Sequence, residues 1–220
     1  MRGVVRWNVA LGALFFAFRS AAAQEVPAPE RWPRWEAAVL AGYRFEGTLH
    51  PLGDVDVPRI EVDNTATFAF SLGYNMNPVF GTEINYSYAS APATPVTGIL
   101  GGAGSGFDIG MHEFQAGIML YLAGPFEPVR PYFELLLGAT VLNTTGDVGE
   151  TVKFTPGISA GVKGYPSAHV GWRAEAHYTP MFLYNTGNGT DLCFEYGGCW
   201  NTGDRYLQQV DLRAGVTFRF

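Results

Sequence analysis

Hydrophobic and polar side chains alternate along eight stretches of this chain, beginning at Trp35. In the first stretch Trp35, Val39 and Phe45 share one face, while Glu36 and Arg44 share the opposite face. A period of two residues is typical of a β-strand with two unlike faces. We therefore predict eight strands, at residues 35–46, 66–74, 80–88, 113–122, 129–141, 154–163, 170–178 and 206–220.

The connections between these strands alternate in length. The short ones are residues 75–78, 123–128 and 164–169, and the long ones are residues 47–63, 89–110, 143–150 and 180–205. Short turns on one side and longer loops on the other are typical of an outer-membrane barrel. The fold class that we predict is all-β: an eight-stranded antiparallel transmembrane up-and-down β-barrel, monomeric, with both chain ends on the periplasmic side.

The composition of the two faces favours a membrane barrel over a soluble one. Charged residues make up 15% of the chain, whereas a soluble domain carries about 25%. Glycines such as Gly117, Gly138 and Gly161 lie on the polar face, and small residues suit the narrow interior of an eight-stranded barrel. Aromatic residues such as Trp172 and Tyr178 stand at both ends of the apolar face, as in two interfacial belts. The alternative is a soluble, lipocalin-like cup with the apolar face inward.

The first 23 residues have the features of an export signal. Arg2 and Arg6 precede an apolar run at 9–18, and small residues follow up to Ala23. This order predicts a cleaved signal peptide at 1–23. We expect a periplasmic N-terminal tail at 24–33 and the barrel domain at 34–220.

Three segments carry a resemblance to a known family. They are 129–134, 172–179 and the last strand, 210–220, in which Phe218 and Phe220 form a C-terminal insertion signature. The chain resembles the OmpA/OmpX-like small barrels of the "porin family", or outer membrane protein beta-barrel domain, over nearly all of 34–220. The resemblance implies a place in the bacterial outer membrane and a role as a structural protein, adhesin, complement-evasion factor or, rarely, a lipid-modifying enzyme.

Charged side chains recur on the face that we expect to point into the barrel. Carboxylates in a narrow lumen are costly unless they are paired, and arginines can bind them bidentately. We therefore expect a charge network that plugs the lumen; the alternative is an ion path, a gate or a small-solute channel. The candidates are Arg44, Glu83, Glu113, Glu134, Lys163, Arg173, Glu175, His177, Asp211 and Arg213.

His177 also suggests a catalytic alternative. Lipid A deacylases of the PagL type carry a His-x-Ser pair with an acid, and here the segment reads His177-Tyr178-Thr179, followed by Asp191. Threonine is a more hindered nucleophile, and the strand pattern points His177 into the lumen. We therefore expect no enzyme, with a lipid A acyl hydrolase as the alternative.

The last long loop, 181–205, contains both cysteines. Cys193 and Cys199 enter an oxidising compartment after export, which predicts a disulfide. Exposed aromatic residues in a stapled loop are typical of a binding surface, although a rigid cap over the barrel mouth is equally compatible. These aromatic residues are Phe182, Tyr184, Phe194, Tyr196 and Trp200.

The composition also limits the partners. A net charge of -6 and an isoelectric point near 5.2 make nucleic-acid binding an unfavourable hypothesis, and the four histidines are scattered without ligand spacing, so no metal or cofactor is expected. We expect outer-membrane lipid, lipopolysaccharide and the barrel-insertion machinery as partners, with a host or cell-surface ligand bound by the outer loops. The predicted function is a structural or surface-interaction, adhesin-like role.

Overall fold

The computed structural model describes residues 33–47, 59–96, 107–144, 151–182, 192–194, 198–200 and 206–220. These residues form strands, because their apolar and polar side chains alternate with a period of two. The strands are β1 (Trp35–Glu46), β2 (Arg59–Val62), β3 (Thr65–Asn75), β4 (Phe80–Val96), β5 (Phe107–Tyr121), β6 (Val129–Thr144), β7 (Thr151–Phe154), β8 (Gly157–Gly164), β9 (Val170–Phe182), β10 (Leu192–Phe194), β11 (Gly198–Trp200) and β12 (Tyr206–Arg219).

The long strands pair with their sequence neighbours, and the first and last strands close the sheet into a ring. β12 pairs with β9 on one side and with β1 on the other, all antiparallel. β7 and β8 keep one register against β6 and act as a single strand interrupted at residues 155–156. The ring therefore has eight strands, β1, β3, β4, β5, β6, β7 with β8, β9 and β12, which confirms the predicted fold class.

The apolar face of the sheet lies on the outside of the ring. Phe68, Ile118, Leu135 and Leu212 are 60%, 59%, 58% and 52% exposed, whereas Arg173 on the opposite face is 2% exposed. Burial of ionic groups and exposure of large apolar ones is the reverse of a water-soluble domain. The soluble-cup alternative required these apolar side chains to share an interior, and the structure places them on the outer wall.

The described turns are all at one end of the ring, which we name the turn end; the opposite end is the loop end. Asn77, for example, accepts the backbone N–H groups of Val79 and Phe80 through its side chain, both at 2.8 Å. Such an Asx arrangement favours a tight reversal between strands. Strands β1, β4, β6 and β9 begin at this end, and β3, β5, β8 and β12 finish there, so residues 33 and 220 both lie at the turn end.

The predicted second loop, 89–110, was wrong in its extent. β4 continues to Val96 and β5 begins at Phe107, with Ala91 paired to Ile109. Alanines and prolines weaken the strand pattern in this segment. The period nevertheless continues, because Ala91 and Ala93 are buried while Pro92 is exposed. β2 supplies a further partner, since Val62 pairs with Ala93.

The last predicted loop also needs correction at its start. Phe182 belongs to β9 on the outer wall, where its ring lies 6.1 Å from that of Phe154, and it is not a loop residue. Phe194 and Trp200 belong to β10 and β11. The signal peptide at 1–23, nearly all of the tail at 24–33, and Tyr184, Asp191 and Tyr196 lie outside the described residues.

Candidate functional site

The lumen is crossed by a cluster of polar side chains at its turn end. Glu36 of β1 accepts hydrogen bonds from Lys163 at 2.7 Å, Tyr165 at 3.0 Å and Asn75 at 3.1 Å, and Arg219 lies 3.6 Å away. Burial raises the pKa of Tyr165 to about 12, so its phenol remains a donor. Glu36 is thus held by side chains from three other parts of the ring.

Two tyrosine rings complete this level. The Arg130 guanidinium lies 3.7 Å from the centre of the Tyr121 ring, and the Tyr121 hydroxyl accepts from Lys163 at 3.2 Å. The Lys163 ammonium is also 5.4 Å from the centre of the Tyr132 ring. Cations over aromatic faces are stabilised further when water is excluded. Charged groups and tyrosine rings together fill the turn end of the lumen.

Arg173 occupies the middle of the lumen and binds three carboxylates. Its guanidinium lies 2.7 Å from Glu83, 2.6 Å from Glu175 and 3.5 Å from Glu134, and its Nε donates to the Tyr132 hydroxyl at 2.8 Å. The Tyr132 hydroxyl in turn donates to Glu175. A planar guanidinium with five donors suits several acceptors at once, which explains why one arginine can serve this group.

Arg213 joins the middle of the lumen to its upper part. It lies 2.9 Å from Glu175 and 3.8 Å from Asp211, and it contacts the Nδ1 atom of His177. All four side chains are buried. A continuous series of ion pairs therefore runs from Arg173 through Glu175 to Arg213 and on towards the loop end.

Arg44 forms the upper level. It binds Asp211 bidentately at 2.7 Å and 2.9 Å and reaches Glu113 and Ser87 at 3.5 Å each. Bidentate arginine–carboxylate pairs are among the strongest hydrogen-bonded pairs. The structure thus brings together the ten charged or titratable residues predicted for the lumen, with Lys163 in the lower cluster and the other nine above it.

Above these charges apolar side chains predominate in the lumen, beside the Glu46 carboxylate, which accepts from the Gln209 Nε2 atom at 3.1 Å and 3.2 Å. Gln209 of β12 donates to the Met111 sulfur of β5 at 3.2 Å, and buried apolar side chains fill the space towards the loop end. They are Val62, Ala89, Ala91, Ala93, Ile109, Met111, Leu142, Met181 and Leu207. Apolar side chains thus predominate between the charge network and the loop end.

Several members of the lumen were not predicted as site residues. Glu36, Arg130, Tyr121 and Tyr132 all have inward positions in their strands, so the alternation alone could have found them. In the sequence of a membrane barrel, tyrosine is usually assigned to the aromatic belt at the membrane interface. For this reason Tyr121 and Tyr132 were not predicted as lumen site residues. Among the described residues six acidic and seven basic side chains are buried, so the enclosed charges nearly balance.

The described residues give the hydrolase alternative no catalytic arrangement. His177 and Thr179 are both buried, His177 contacts Arg213, and the Thr179 hydroxyl has no hydrogen-bond partner. A nucleophile and its base need to be within hydrogen-bond reach of each other. The part of the chain that the structure describes also holds no group of three or more His, Cys, Asp or Glu residues placed to bind a metal ion.

A family model described as "Outer membrane protein beta-barrel domain" matches residues 11–220. The chain belongs to this family. Its members are outer-membrane proteins, and the protein is located in the bacterial outer membrane, so its exposed apolar wall faces lipid. No helix in the described part of the chain is long and apolar enough to cross a membrane. A search of curated proteins finds no match.

Solved structures of other family-like barrels share the fold at low sequence identity. Neisserial surface protein A has a TM-score of 0.52 at 15% identity, with 84% of this chain and 96% of that chain covered. OprG from Pseudomonas aeruginosa has a TM-score of 0.53 at 12% identity, with 86% and 97% covered. The outer membrane protein AlkL has a TM-score of 0.53 at 17% identity, with 88% and 92% covered. Identities this low establish the fold alone.

Proposed function

We propose that this protein is a closed outer-membrane barrel, which serves as a rigid base for surface-exposed loops rather than as a pore. The observation that carries the proposal is the Arg173–Glu83 pair. In the order of the ring, β9 and β4 are four strands apart in either direction, yet these two side chains are 2.7 Å apart. This bond joins opposite walls, and the same guanidinium also contacts Glu134, Glu175 and Tyr132, so side chains fill the lumen at that level.

Contacts at other levels support the same conclusion. Gln209 and Met111 lie on β12 and β5, which are again four strands apart in either direction, and their side chains meet at 3.2 Å. Lys163 and Glu36 close the turn end at 2.7 Å. An eight-stranded barrel is only wide enough for side chains, and here those side chains bind each other.

The experiment is single-channel recording of the refolded protein in planar bilayers. We expect no steady conductance, because every level of the lumen is crossed. A double variant, Arg173→Ala with Arg44→Ala, removes both guanidiniums and should introduce conductance if it folds. A steady open pore in the unaltered protein would contradict the closed-lumen proposal and favour a small-solute channel.

The proposed surface role belongs to the loop end, with a host or cell-surface molecule as the expected partner. It is supported by the extension of β4, β5 and β6 to Val96, Phe107 and Thr144, and by the β10–β11 hairpin inside the last loop. Replacing residues 183–205 by a short turn should preserve the heat-dependent gel mobility of a folded barrel. It should abolish the retention of bacteria expressing the protein on cultured animal-cell monolayers. Unchanged retention would exclude this loop as the binding surface.

A further inference from the structure

The outer wall changes from apolar to polar near the loop end of β4, β5 and β6. On β5 the outward side chain of Phe114 is 53% exposed, and the next two outward positions hold His112 and Gly110. Backbone pairing places Gly110 between Ser90 of β4 and Asn143 of β6. We name this outward surface the polar shelf; its members are Tyr88, Ser90, Gly110, His112 and Asn143.

The polar shelf lies at the height of the outer-leaflet headgroups. His112 is ten residues from Leu122, which is at the turn end. With a rise of about 3.3 Å per residue and a strand tilt of about 40°, ten residues span about 25 Å of membrane thickness, which is the height of the apolar band of such a barrel. The shelf therefore lies just above the acyl chains, where the headgroup of an outer-leaflet lipid covers the wall.

His112 is held in place by two tyrosine side chains. The Tyr86 hydroxyl lies 2.9 Å from the His112 Nδ1 atom, and the centres of the Tyr88 and His112 rings are 4.8 Å apart. When the Tyr86 hydroxyl donates to Nδ1, the ring proton is on Nε2, the nitrogen that points away from Tyr86. The wall thus has an oriented N–H donor at headgroup height.

The other members of the shelf add an amide, a hydroxyl and an aromatic face. Asn143 is partly buried, and its Oδ1 atom has no hydrogen-bond partner. Ser90 is exposed, and Tyr88 is 37% exposed. Gly110 has no side chain, so the surface between Tyr88 and Asn143 is a shallow, open gap. Groups that donate and accept hydrogen bonds beside an aromatic ring suit the hydroxyl groups and the C–H face of a sugar.

The charge of this surface favours a neutral sugar over a phosphate group. The outward positions that the structure describes on β4, β5 and β6 contain no lysine or arginine, the side chains best suited to phosphate. Asp108 is exposed at the next outward position beyond Gly110, and its carboxylate would repel a phosphate. The hydroxyl and amide groups of a sugar carry no charge and can bond to donors and acceptors alike.

We propose that the polar shelf binds a sugar of the lipopolysaccharide headgroup in the outer leaflet. A sugar hydroxyl accepts from the His112 Nε2 atom, a neighbouring polar group bonds to the Asn143 amide, and the sugar ring lies over Gly110 against the Tyr88 ring. The acyl chains then run along the apolar wall below the shelf, past Phe114. This inference concerns the lipid around the barrel and depends neither on the closed lumen nor on the proposed surface role.

Native mass spectrometry of the refolded full-length protein tests the site by counting the lipids that stay bound after release from phosphatidylcholine nanodiscs. Two test lipids share one diacylglycerol: the first bears a galactose and no phosphate, and the second, phosphatidic acid, bears a phosphate and no sugar. The third is lipid A from which both phosphates have been removed. We expect both sugar-bearing lipids to be retained and phosphatidic acid to be retained about three- to tenfold less, in line with the loss of one hydrogen bond.

Two variants and a matched control make the test specific. Asn143→Leu and His112→Phe should each lower retention of the dephosphorylated lipid A about three- to tenfold. Gln208→Leu should leave it unchanged, because Gln208 is an exposed outward residue of β12, four strands from β5 in either direction around the ring. Heat-dependent gel mobility checks that each variant is folded.

Three results would overturn the proposal. They are retention of phosphatidic acid equal to that of the galactose lipid, failure to retain the dephosphorylated lipid A, and equal retention of that lipid by the shelf variants and the Gln208→Leu control.

Discussion

Arg173 and Glu83 bind each other across the full width of the barrel, at 2.7 Å, although they lie on opposite walls. The pair is fully enclosed, and Glu134 and Glu175 share the same guanidinium. Removing Arg173 would leave three buried carboxylates short of positive charge. The stability of the barrel should therefore depend strongly on this one side chain.

We predict that Arg173→Met lowers the free energy of unfolding by about 3–5 kcal/mol, because breaking a buried ion pair on one side leaves uncompensated charge. Urea unfolding in lipid vesicles, followed by tryptophan fluorescence, measures the change. Adding Glu83→Gln to this variant should recover part of the loss. Arg34→Met is the matched control, since the exposed Arg34 donates to the Tyr74 hydroxyl at 3.1 Å and should change stability by less than about 0.5 kcal/mol. Equal effects at the two arginines would contradict the network.

Because the apolar face points outward into the membrane, a charged side chain placed on it should lower the stability of the barrel by an amount that depends on its depth. Leu135 lies on the outer wall within β6, whereas Leu122 lies where β5 meets its turn; the two are 58% and 66% exposed. Leu135→Arg should destabilise the barrel in vesicles by about 2–4 kcal/mol and Leu122→Arg by about 0–1 kcal/mol. The same unfolding assay measures both. Similar costs for the two variants would mean that Leu135 does not face the membrane interior.

Close approach inside the lumen predicts that Gly161 cannot be enlarged. A Cβ atom at Gly161 would lie 2.6 Å from both the Tyr132 hydroxyl and the Ala174 carbonyl oxygen. Gly161→Ala should cost about 1–3 kcal/mol through overpacking, as measured from the urea midpoint. Gly110→Ala is the control, because its neighbours would be at ordinary contact distances of 3.5 Å and more. An unchanged urea midpoint for Gly161→Ala would show that Tyr132 can move away from the added methyl group without loss of stability.

The pairing of β10 with β11 places the two cysteines of the predicted disulfide opposite each other. Cys193 and Cys199 are direct backbone partners in β10 and β11, a geometry compatible with a cross-strand bridge. We expect mass spectrometry of the exported protein to find neither cysteine alkylated before reduction, and both alkylated after it. Cys193→Ser with Cys199→Ser should leave barrel unfolding unchanged within about 0.5 kcal/mol, because this hairpin is a separate sheet. Alkylation of both cysteines without reduction would contradict the bridge.

Strand periodicity was a good guide to the faces of the sheet and a poor guide to strand length. Glu134 and Leu135, for instance, are assigned to opposite faces by their positions alone, and the structure places them so. At Pro92 and Phe182 the same approach assigned loops where strands continue. Strand ends depend on pairing with a neighbour, as Val62 does with Ala93, and a single strand's sequence does not contain that information.

The sequence by itself determined the strands and which side chains share a face, because a side chain's face in a strand depends only on its position in the count of two. Scarce charge and the glycines of the polar face then indicated that the apolar face lies outside. Only the closed ring decided which side chains meet, such as Arg173 with Glu83 and Glu36 with Lys163. These contacts depend on the register between strands distant in the chain, which closure of the sheet sets for all strands together.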